Sequence, residues 1–420
     1  MKKIAVIGAG ITGITTAYSL LERGFDVTVF DRNRYAAMET SFANGGQLSA
    51  SNAEVWTNWG TVLKGLKWMF EPGAPLLMNP KPSWHKYSWM AEFMANIPKY
   101  ETNTIETVRL AISARQHLKR FAEKEGFDFD VENRGILHVY RDQKEFDHAR
   151  RVNDLLAKGG LNRHEVSAEG AYAVEPTIKC DLTGGFYTDS DFSGDIHLYA
   201  KNLAKACLRR GVKFHYNTEI TNIGSENTIH KLNWFKGHEK QEESFDSVVV
   251  CAGVSSRAIA QKFGDRVNIY PVKGYSITVN LNDHESQAFA PRVSLLDDKA
   301  KIVASRLGDD RFRIAGTAEF NGYNRDIRDD RIRPLIQWCE EFFPQVSTEH
   351  AVPWAGLRPM MPSMLPKIAP GKKSGVFYNT GHGHLGWTLS AATSEIISDM
   401  ITSHFSAPNE IENRVFAFGT

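Results

Sequence analysis

The pattern of apolar and polar residues near the N-terminus predicts a β-α-β unit. Residues 3–7, Lys-Ile-Ala-Val-Ile, form a short apolar run that is typical of a parallel strand buried on both faces. A helical pattern follows, with Ile14, Ala17 and Leu21 on one face. The run 26–31, Asp-Val-Thr-Val-Phe-Asp, predicts a second strand that closes the unit.

Later segments predict a second group of strands. Val/Ile alternation interleaved with turns is typical of antiparallel strands, and a longer amphipathic stretch indicates a helix. The predicted elements are a helix at about 103–125, strands at 135–140, 271–281, 300–305 and 311–318, and a helix at about 328–343. We therefore expect a mostly antiparallel sheet beside the N-terminal unit.

Three glycines lie between the first strand and its helix, in the sequence G-A-G-I-T-G. Gly8 would make a tight turn, Gly10 would let the backbone approach a pyrophosphate, and Gly13 would let helix and strand pack closely. The helix N-terminus, at Ile11 and Thr12, would offer free N–H groups and a partial positive charge. The spacing therefore predicts an anion-binding turn.

Asp31 ends the second predicted strand, and Arg32 follows it. A carboxylate at this point accepts hydrogen bonds from a ribose and repels a 2′-phosphate, so FAD or NAD is favoured over NADP. Strand, glycines, helix, strand and acid occur in the order that dinucleotide binding requires, although the glycines of an ordinary α/β unit can also serve packing alone. We include Arg32 among the predicted cofactor contacts.

Composition narrows the class of protein. The chain has 420 residues, of which 42% are hydrophobic, which is enough for two domains. A formal net charge of +1 gives no global field to attract nucleic acid. Four cysteines without a C-x-x-C pair argue against a metal site or a disulfide framework and suit a cytoplasmic protein. No apolar run reaches the roughly 18 residues that a membrane span needs.

Three further segments distinguish FAD from NAD. The loop 39–49 carries adjacent glycines that suit close approach to a flat ring, although an ordinary Asn-Gly turn is the alternative. The apolar run 245–253 stops at Ala-Gly. At 375–388 a strand, a Gly-His-Gly turn and a helix N-terminus form an anion-friendly cradle. Since no second glycine fingerprint for nicotinamide occurs, FAD is favoured.

In this order along nearly the whole chain, these segments resemble the D-amino acid oxidase/dehydrogenase superfamily of FAD enzymes. The closest resemblance is to the bacterial D-amino acid dehydrogenase family of the small-subunit type. It implies that the last turn lies beside the flavin, where oriented N–H groups stabilise the reduced ring. The positions that it assigns to FAD are Thr40, Ser41, Asn44, Gly45, Gly46, Gln47, Gly253, Gly381, Gly383, His384, Leu385 and Gly386.

The segment 353–360 resembles the W-x-G-x-R-P signature of that family, in which the arginine clamps the substrate carboxylate. Arginine suits the task, because its planar fork binds a carboxylate bidentately and keeps its charge. The resemblance thus assigns Arg358 to the substrate. Tyr275 and His384 are further candidates for catalytic roles, with an ordinary sheet tyrosine and a backbone-satisfied histidine as the alternatives. After Arg358 the chain departs from the family's short polar turn, which weakens any transfer of substrate preference.

Residues 54–100 contain bunched aromatics that allow three interpretations: core, a lid over the substrate pocket, or a patch that lies on a membrane. The lysines among them keep the membrane interpretation open: Lys64, Lys67, Lys81 and Lys86. The tryptophans of this segment are Trp56, Trp59, Trp68, Trp84 and Trp89.

We expect an α/β fold, α+β overall, of the D-amino acid oxidase type. Its parts are a discontinuous Rossmann-like FAD-binding domain (1–80, 160–262 and 350–420) and a mostly antiparallel β-sheet substrate domain (81–159 and 263–349). The resemblance implies oxidative deamination of a D-amino acid, with electrons passed to a quinone or another respiratory acceptor. An O₂-using oxidase of the glycine or sarcosine type and a flavin-binding subunit without turnover are the alternatives. Peripheral contact with the cytoplasmic face of the inner membrane and a homo-oligomer stay open.

Overall fold

The structure is a computed structural model that describes residues 1–68, 74–226 and 229–406. The strands are, in chain order, β1 (Lys3–Ile7), β2 (Asp26–Phe30), β3 (Gln47–Leu48), β4 (Leu76–Met78), β5 (Ile136–Tyr140), β6 (His164–Ser167), β7 (Gly184–Thr188), β8 (Phe192–Ser193), β9 (Lys213–His215), β10 (Ile220–Glu226), β11 (Ile229–Lys236), β12 (Glu239–Phe245), β13 (Ser247–Val250), β14 (Tyr270–Asn280), β15 (Ser294–Asp297), β16 (Ile302–Leu307), β17 (Arg311–Phe320), β18 (Val352–Met360), β19 (Lys367–Pro370) and β20 (Val376–Thr380).

The α-helices of the same ranges are, in chain order, α1 (Ile11–Glu22), α2 (Trp59–Trp68), α3 (Trp84–Ala95), α4 (Tyr100–Glu125), α5 (Gln143–Lys158), α6 (Ala168–Val174), α7 (Ile196–Arg209), α8 (Ser256–Lys262), α9 (His284–Phe289), α10 (Asp329–Phe342) and α11 (Gly386–Phe405). Short 3₁₀ turns lie at Ile97–Lys99, Gly253–Ser255 and Gly383–Leu385. No helix in the described ranges is long and apolar enough to cross a membrane.

The predicted N-terminal β-α-β unit is present at the centre of a parallel sheet. β1 lies between β2 and β13, so that Ile4 pairs with Val27 on one side and Ser247 on the other. The sheet order is β19-β20-β13-β1-β2-β9, and β19 is the antiparallel member at its edge. Because β1 is covered on both faces, its run from Ile4 is fully apolar and buried.

Helix α1 is buried on several sides, because α7 and α11 also contact it. Its polar residues are therefore satisfied by protein groups. Thr15 donates to the Ser390 carbonyl at 3.2 Å, and the hydroxyls of Ser19 and Ser394 lie 3.0 Å apart. These contacts attach the C-terminal helix to the helix that follows the glycine turn.

The second sheet has the order β18-β14-β17-β16-β15-β5-β7-β6, with β4 paired to β17. Its pairs are antiparallel except for β5–β15 and β4–β17. Helix α10 packs against β14 and β17 and buries Leu335 and Trp338 there. The predicted strands and helices of this region occur within a few residues of their expected positions, and the predicted fold class is confirmed.

The division into domains stays a prediction. Some strands inside one predicted domain pair with strands of the other. Strands β6 and β7 lie inside the segment 160–262 that we expected in the cofactor domain, yet β7 pairs with β5 of the second sheet and β6 pairs with β7 at its edge. Strand β18, inside 350–420, also pairs there, with β14. The end of that segment, from 407, lies outside the described residues, as do 69–73. Strands that pair with partners far away in the sequence carry no local pattern that shows to which sheet they belong.

The close packing of α1 against β1 gives a first prediction. A Cβ built on Gly13 would lie 1.9 Å from the Gly8 carbonyl oxygen, which is backbone and cannot rotate away. We expect Gly13→Ala to lower the free energy of unfolding by about 1–3 kcal/mol, the usual range for overpacking. Urea denaturation measures this change.

The matched control is Gly65→Ala in helix α2, where a Cβ would meet nothing within 4 Å. We expect this variant to be as stable as the original chain or slightly more stable, since alanine favours helix. Equal stability of the two variants would contradict the packing role of Gly13.

Candidate functional site

A cavity of about 730 Å³ lies between the carboxyl ends of the parallel strands and one face of the second sheet. Ile7, Phe30, Cys251 and Thr380 bring the ends of β1, β2, β13 and β20 to its wall. Ligands of open α/β sheets bind at this edge. The predicted site residues at the wall are Gly8, Gly10, Ile11, Thr12, Asp31, Arg32, Thr40, Ser41, Asn44, Gly45, Gly46, Gln47, Gly253, Tyr275, Arg358, Gly381, Gly383, His384, Leu385 and Gly386.

The glycine turn presents backbone to the cavity. Gly8 has φ +110°, which favours glycine, and a Cβ there would meet the Cys251 carbonyl oxygen at 2.5 Å. At Gly10 a Cβ would meet only Ser41 Oγ, at 3.6 Å, so the space in front of it is open. Gly13 does not line the cavity but packs on Gly8. The first turn of α1 contains no acidic residue, so its positive end is available to an anion.

Asp31 lies at the cavity end of β2. Its carboxylate accepts hydrogen bonds from Ala9 N at 2.6 Å and Asn33 N at 2.8 Å. Burial raises its pKa above the ordinary value, although these hydrogen bonds oppose the rise. Arg32, by contrast, pairs with Glu39 at 2.7 Å. Asp31 is thus oriented for a ribose, whereas the charge of Arg32 is balanced within the protein.

The loop 39–49 lies between the two sheets and is held to the second one. Ser276 donates to the Ala43 carbonyl at 2.8 Å, and Ser305 donates to the Gly45 carbonyl at 2.7 Å. A Cβ on Gly45 would lie 2.2 Å from Val303 Cγ2. Gly45 therefore allows close packing of the loop on the sheet, in addition to lining the cavity. Gln47 anchors the end of the loop through its side-chain amide to Ser294 and Leu295.

These residues fit a flavin dinucleotide. Gly253 has φ +53° and nothing within 4 Å of its Cβ position, so a flat group could approach the backbone there. The buried indole nitrogen of Trp387 has no hydrogen-bond partner among the described residues. An open helix N-terminus, an oriented carboxylate and unpartnered donors are what a dinucleotide with a polar ring edge would bind.

Arg358 on β18 enters the cavity from the second sheet. A Cβ on Gly274, its neighbour on β14, would lie 2.3 Å from the guanidinium carbon, so only glycine leaves room for the side chain. Nη1 donates to the Thr317 carbonyl at 2.7 Å. β17 has an extra residue in its pairing with β14 near this point, and Thr317 has φ +59°. The bulge and this strained backbone aim the Thr317 carbonyl at Arg358.

The guanidinium of Arg358 has no carboxylate partner among the described residues. Burial lowers its pKa to about 10, which leaves it charged near neutral pH. The half-buried side chain exposes its remaining surface to the cavity. An unpaired buried charge is costly, so this site is built for an anionic partner.

The two histidines of the turn 381–384, His382 and His384, are neutral. Burial lowers the pKa of His382 to about 3, and His382 Nε2 lies 2.9 Å from Thr393 Oγ1. Burial, and then the charge of Arg358, lower the pKa of His384 to about 3. Apart from a hydrogen bond with the Asn52 backbone, which favours the protonated ring, the buried ring nitrogens of His384 have no hydrogen-bond partner in the described ranges. His384 therefore offers a free acceptor at the cavity wall.

Tyr275 also reaches the cavity wall, but its hydroxyl is already used. It donates to Glu319 at 2.5 Å, and Glu319 forms a buried ion pair with Lys273 at 3.3 Å. Burial and then Glu319 raise the pKa of Tyr275 far above its ordinary value. The geometry favours the alternative of a sheet tyrosine more than that of a substrate contact.

The tryptophans of the aromatic segment differ in burial. Trp89 is in the core, while Trp56 stacks on His384 with centroids 4.6 Å apart and, like Trp68, lines the cavity. Trp59 and Trp84 are 62% and 83% exposed. The sequence of this segment did not show which of its tryptophans would be buried and which exposed.

Sequence reasoning missed a charged pair at the cavity wall. Lys301 and Asp298, in the turn between β15 and β16, are joined at 3.1 Å. The non-glycine residue Lys301 has φ +55° there. The pattern D-D-K-A-K reads as an ordinary exposed turn, so only its neighbours in space give it a different meaning.

Comparison with known proteins gives one family and several relatives. The profile described as "DAO: FAD dependent oxidoreductase" matches residues 3–400. The chain is 60% identical to D-amino acid dehydrogenase 3 of Mesorhizobium japonicum, over 96% of this chain and 98% of that protein. It is 39% identical to D-amino acid dehydrogenase of Paramagnetospirillum magneticum, over 96% of each chain.

Among solved structures, glycine oxidase from Geobacillus kaustophilus superposes with a TM-score of 0.72 at 19% identity, over 97% of this chain and 96% of that one. L-proline dehydrogenase from P. horikoshii gives a TM-score of 0.73 at 16% identity, over 96% and 93% of the two chains. At these sequence identities, the structural similarity shows that the fold is shared and nothing further.

The buried neutral histidines predict an acid-sensitive fold. His382 has a folded pKa of about 3 against an ordinary 6.5. Below about pH 6 the unfolded chain therefore binds a proton that the folded chain does not, and stability falls as the pH falls. In His382→Gln we expect the slope of unfolding free energy between pH 6 and pH 4 to be smaller by about 1.4 kcal/mol per pH unit.

Denaturant titrations at each pH measure this slope. The control is His148→Gln, since His148 is exposed on α5. A slope that is the same in His382→Gln and the original chain would mean that His382 does not stay neutral in the folded protein.

Proposed function

Because this chain belongs to the DAO family of FAD-dependent oxidoreductases, we propose that it oxidises D-amino acids. The products would be the 2-oxo acid and ammonia, formed when water hydrolyses the imine that the oxidation leaves. The observation that carries the proposal is Arg358, a half-buried cation with no carboxylate partner among the described residues, in the same cavity as the glycine turn. The relatives named D-amino acid dehydrogenase, at 60% and 39% identity, support the choice of substrate.

The expectations of FAD, of a flavoprotein oxidoreductase and of this family are confirmed by the family match over residues 3–400. The β-α-β unit alone left FAD and NAD open, and the loop 39–49, the run 245–253 and the turn at 375–388 decided between them. Residues of all three segments line the cavity.

When bound, FAD supplies the acceptor for the hydride that leaves the substrate Cα. It would be held by the glycine turn, Asp31 and the Gly-His-Gly turn. Arg358 would bind the substrate carboxylate through its fork, which fixes the direction in which the Cα–H points. The Thr317 carbonyl and the space at Gly274 hold the guanidinium in this position.

His384 would act on the amino group. Its neutral imidazole has an unpartnered nitrogen, so it can accept a hydrogen bond from the amine without carrying a competing positive charge. The charge of Arg358 and burial both keep it neutral. The stack on Trp56 fixes the plane of the ring. This arrangement suits a substrate that reacts as its neutral amine.

For the electrons we propose a quinone or another respiratory acceptor. Apolar side chains at the protein surface support contact with a membrane that would hold it. Trp59 and Leu63 on α2 are 62% and 65% exposed, while other side chains of that helix line the cavity. Trp84 on α3 is 83% exposed. Aromatic side chains of this kind lie well in the interfacial region of a bilayer.

Anaerobic reduction of the flavin tests the proposed reaction. Mixing the FAD-loaded protein with a D-amino acid without oxygen should bleach the visible flavin absorbance, and the L-enantiomer should leave it unchanged. Bleaching by N-methyl amino acids or glycine alone would instead favour an amine oxidase of the glycine or sarcosine type. Peroxide yield in air, compared with reduction of a quinone or a dye, separates the acceptors.

Substitution of the arginine tests the carboxylate contact. Arg358→Leu removes a fork that makes two charged hydrogen bonds, each worth about 1.5–3 kcal/mol. We expect kcat/KM for a D-amino acid to fall by at least about 100-fold, mostly through KM, while FAD stays bound. The conservative variant Arg358→Lys should have a kcat/KM between those of the original chain and Arg358→Leu, since it keeps the charge and loses the fork. An unchanged KM in Arg358→Leu would exclude the contact.

A further inference from the structure

The Lys301–Asp298 pair at the cavity wall has no part in the reaction described so far. Its place in the sheet separates it from Arg358. Arg358 lies on β18 and Lys301 precedes β16, with β14 and β17 between those strands. The Arg358 guanidinium reaches across β14 to the Thr317 and Gly316 carbonyls of β17, so one strand spacing, roughly 4.8 Å, separates it from the backbone of β16. Both side chains extend into one cavity, and the charges of both act on His384.

The carboxylate of Asp298 is fully used within the protein. Its Oδ2 accepts from the Tyr140 hydroxyl at 2.5 Å and lies 3.5 Å from His138 Nδ1. Its Oδ1 faces Lys301 Nζ. Burial opposes the ionisation of Asp298, but Lys301 and the bonds from His138 and Tyr140 outweigh it and hold its pKa well below the ordinary value. Asp298 is therefore a fixed counter-ion that orients Lys301.

Lys301, in contrast, has donors to spare. An ammonium group has three N–H bonds, and Asp298 is the one hydrogen-bond acceptor recorded for it among the described residues. Its side chain is 49% exposed, and it lines the cavity. The remaining N–H groups can thus meet an acceptor atom of a ligand.

The charges around Lys301 determine which acceptor suits it. Burial alone would lower its pKa, but the negative charges of Asp298, Glu54 and Glu145 outweigh burial and raise it. Lys64, which also lines the cavity, is paired with Glu145 at 3.4 Å. A second carboxylate brought to Lys301 would meet this negative surrounding, whereas a neutral carbonyl or hydroxyl oxygen would not.

We propose that Lys301 binds the side chain of the substrate and selects neutral polar side chains, above all a carboxamide, in the part of the cavity beside β16. Asp298 and Tyr140 are positioning residues for it. The inference rests on the proposed oxidation of D-amino acids, since Arg358 must hold the carboxylate for the side chain to extend toward Lys301.

The test compares D-glutamine with D-methionine, which has a side chain of similar length without the carboxamide. In the FAD-loaded protein, kcat/KM for each is measured by dye reduction. Lys301→Met keeps the length of the side chain and removes its donors. We expect kcat/KM for D-glutamine to fall about tenfold or more, the effect of one lost charged hydrogen bond. The loss should appear in KM, and D-methionine should change by less than about twofold.

Lys299→Met is the matched control, because Lys299 is exposed in the same turn and does not line the cavity. It should leave the ratio of the two substrates unchanged. Tyr140→Phe removes the hydrogen bond behind Asp298 and should raise KM for D-glutamine alone. Lys301→Arg should keep part of the preference for D-glutamine over D-methionine that Lys301→Met loses.

The inference is overturned if Lys301→Met changes both substrates equally or neither, or if the original chain prefers D-glutamate to D-glutamine. A failure of the proposed function has a different signature, since no D-amino acid would then bleach the flavin of the original chain.

Discussion

The site depends on the close approach of three backbone segments at the carboxyl end of the parallel sheet. Gly8 leaves no room for a side chain against the Cys251 carbonyl, and Gly13 leaves none against Gly8. Because of these two contacts, α1 begins directly at the edge of the sheet and turns its N-terminus to the cavity. Any larger residue would displace the helix, and with it the partial positive charge that binds a pyrophosphate.

The second sheet is tied to this frame by the loop 39–49. Hydrogen bonds from Ser276 and Ser305 hold the loop carbonyls, and Thr40 donates to the Leu357 carbonyl at 2.7 Å, next to Arg358. The cofactor loop and the strand that carries the arginine are therefore parts of one packed unit. If Arg358 holds the substrate as we propose, these short, partly or fully buried hydrogen bonds would fix the distance between substrate and cofactor.

Charge in the cavity is distributed unevenly, and the distribution has a chemical meaning. Within the described part of the chain, Arg358 is a cation without a carboxylate partner, His384 is kept neutral, and Lys301 is balanced by Asp298. An anion is thus required at one place, a neutral hydrogen-bond partner suits the second, and a dipolar group suits the third. The substrate that we propose has a carboxylate, an amine and a side chain that match these places in turn.

The sequence alone determined what depends on short windows: the β-α-β unit, the roles of the glycines, the position of Asp31 at a strand end and the place of Arg358 in its motif. Periodicity and turn residues act locally, so they can be recognised locally. Only the tertiary structure decided that Tyr275 donates to Glu319, that His384 stacks on Trp56 and that Lys301 faces the cavity. These contacts join residues distant in the chain or depend on the direction of a side chain at a strand end. They form when strands pair and sheets pack, and no local pattern of residue types records that pairing.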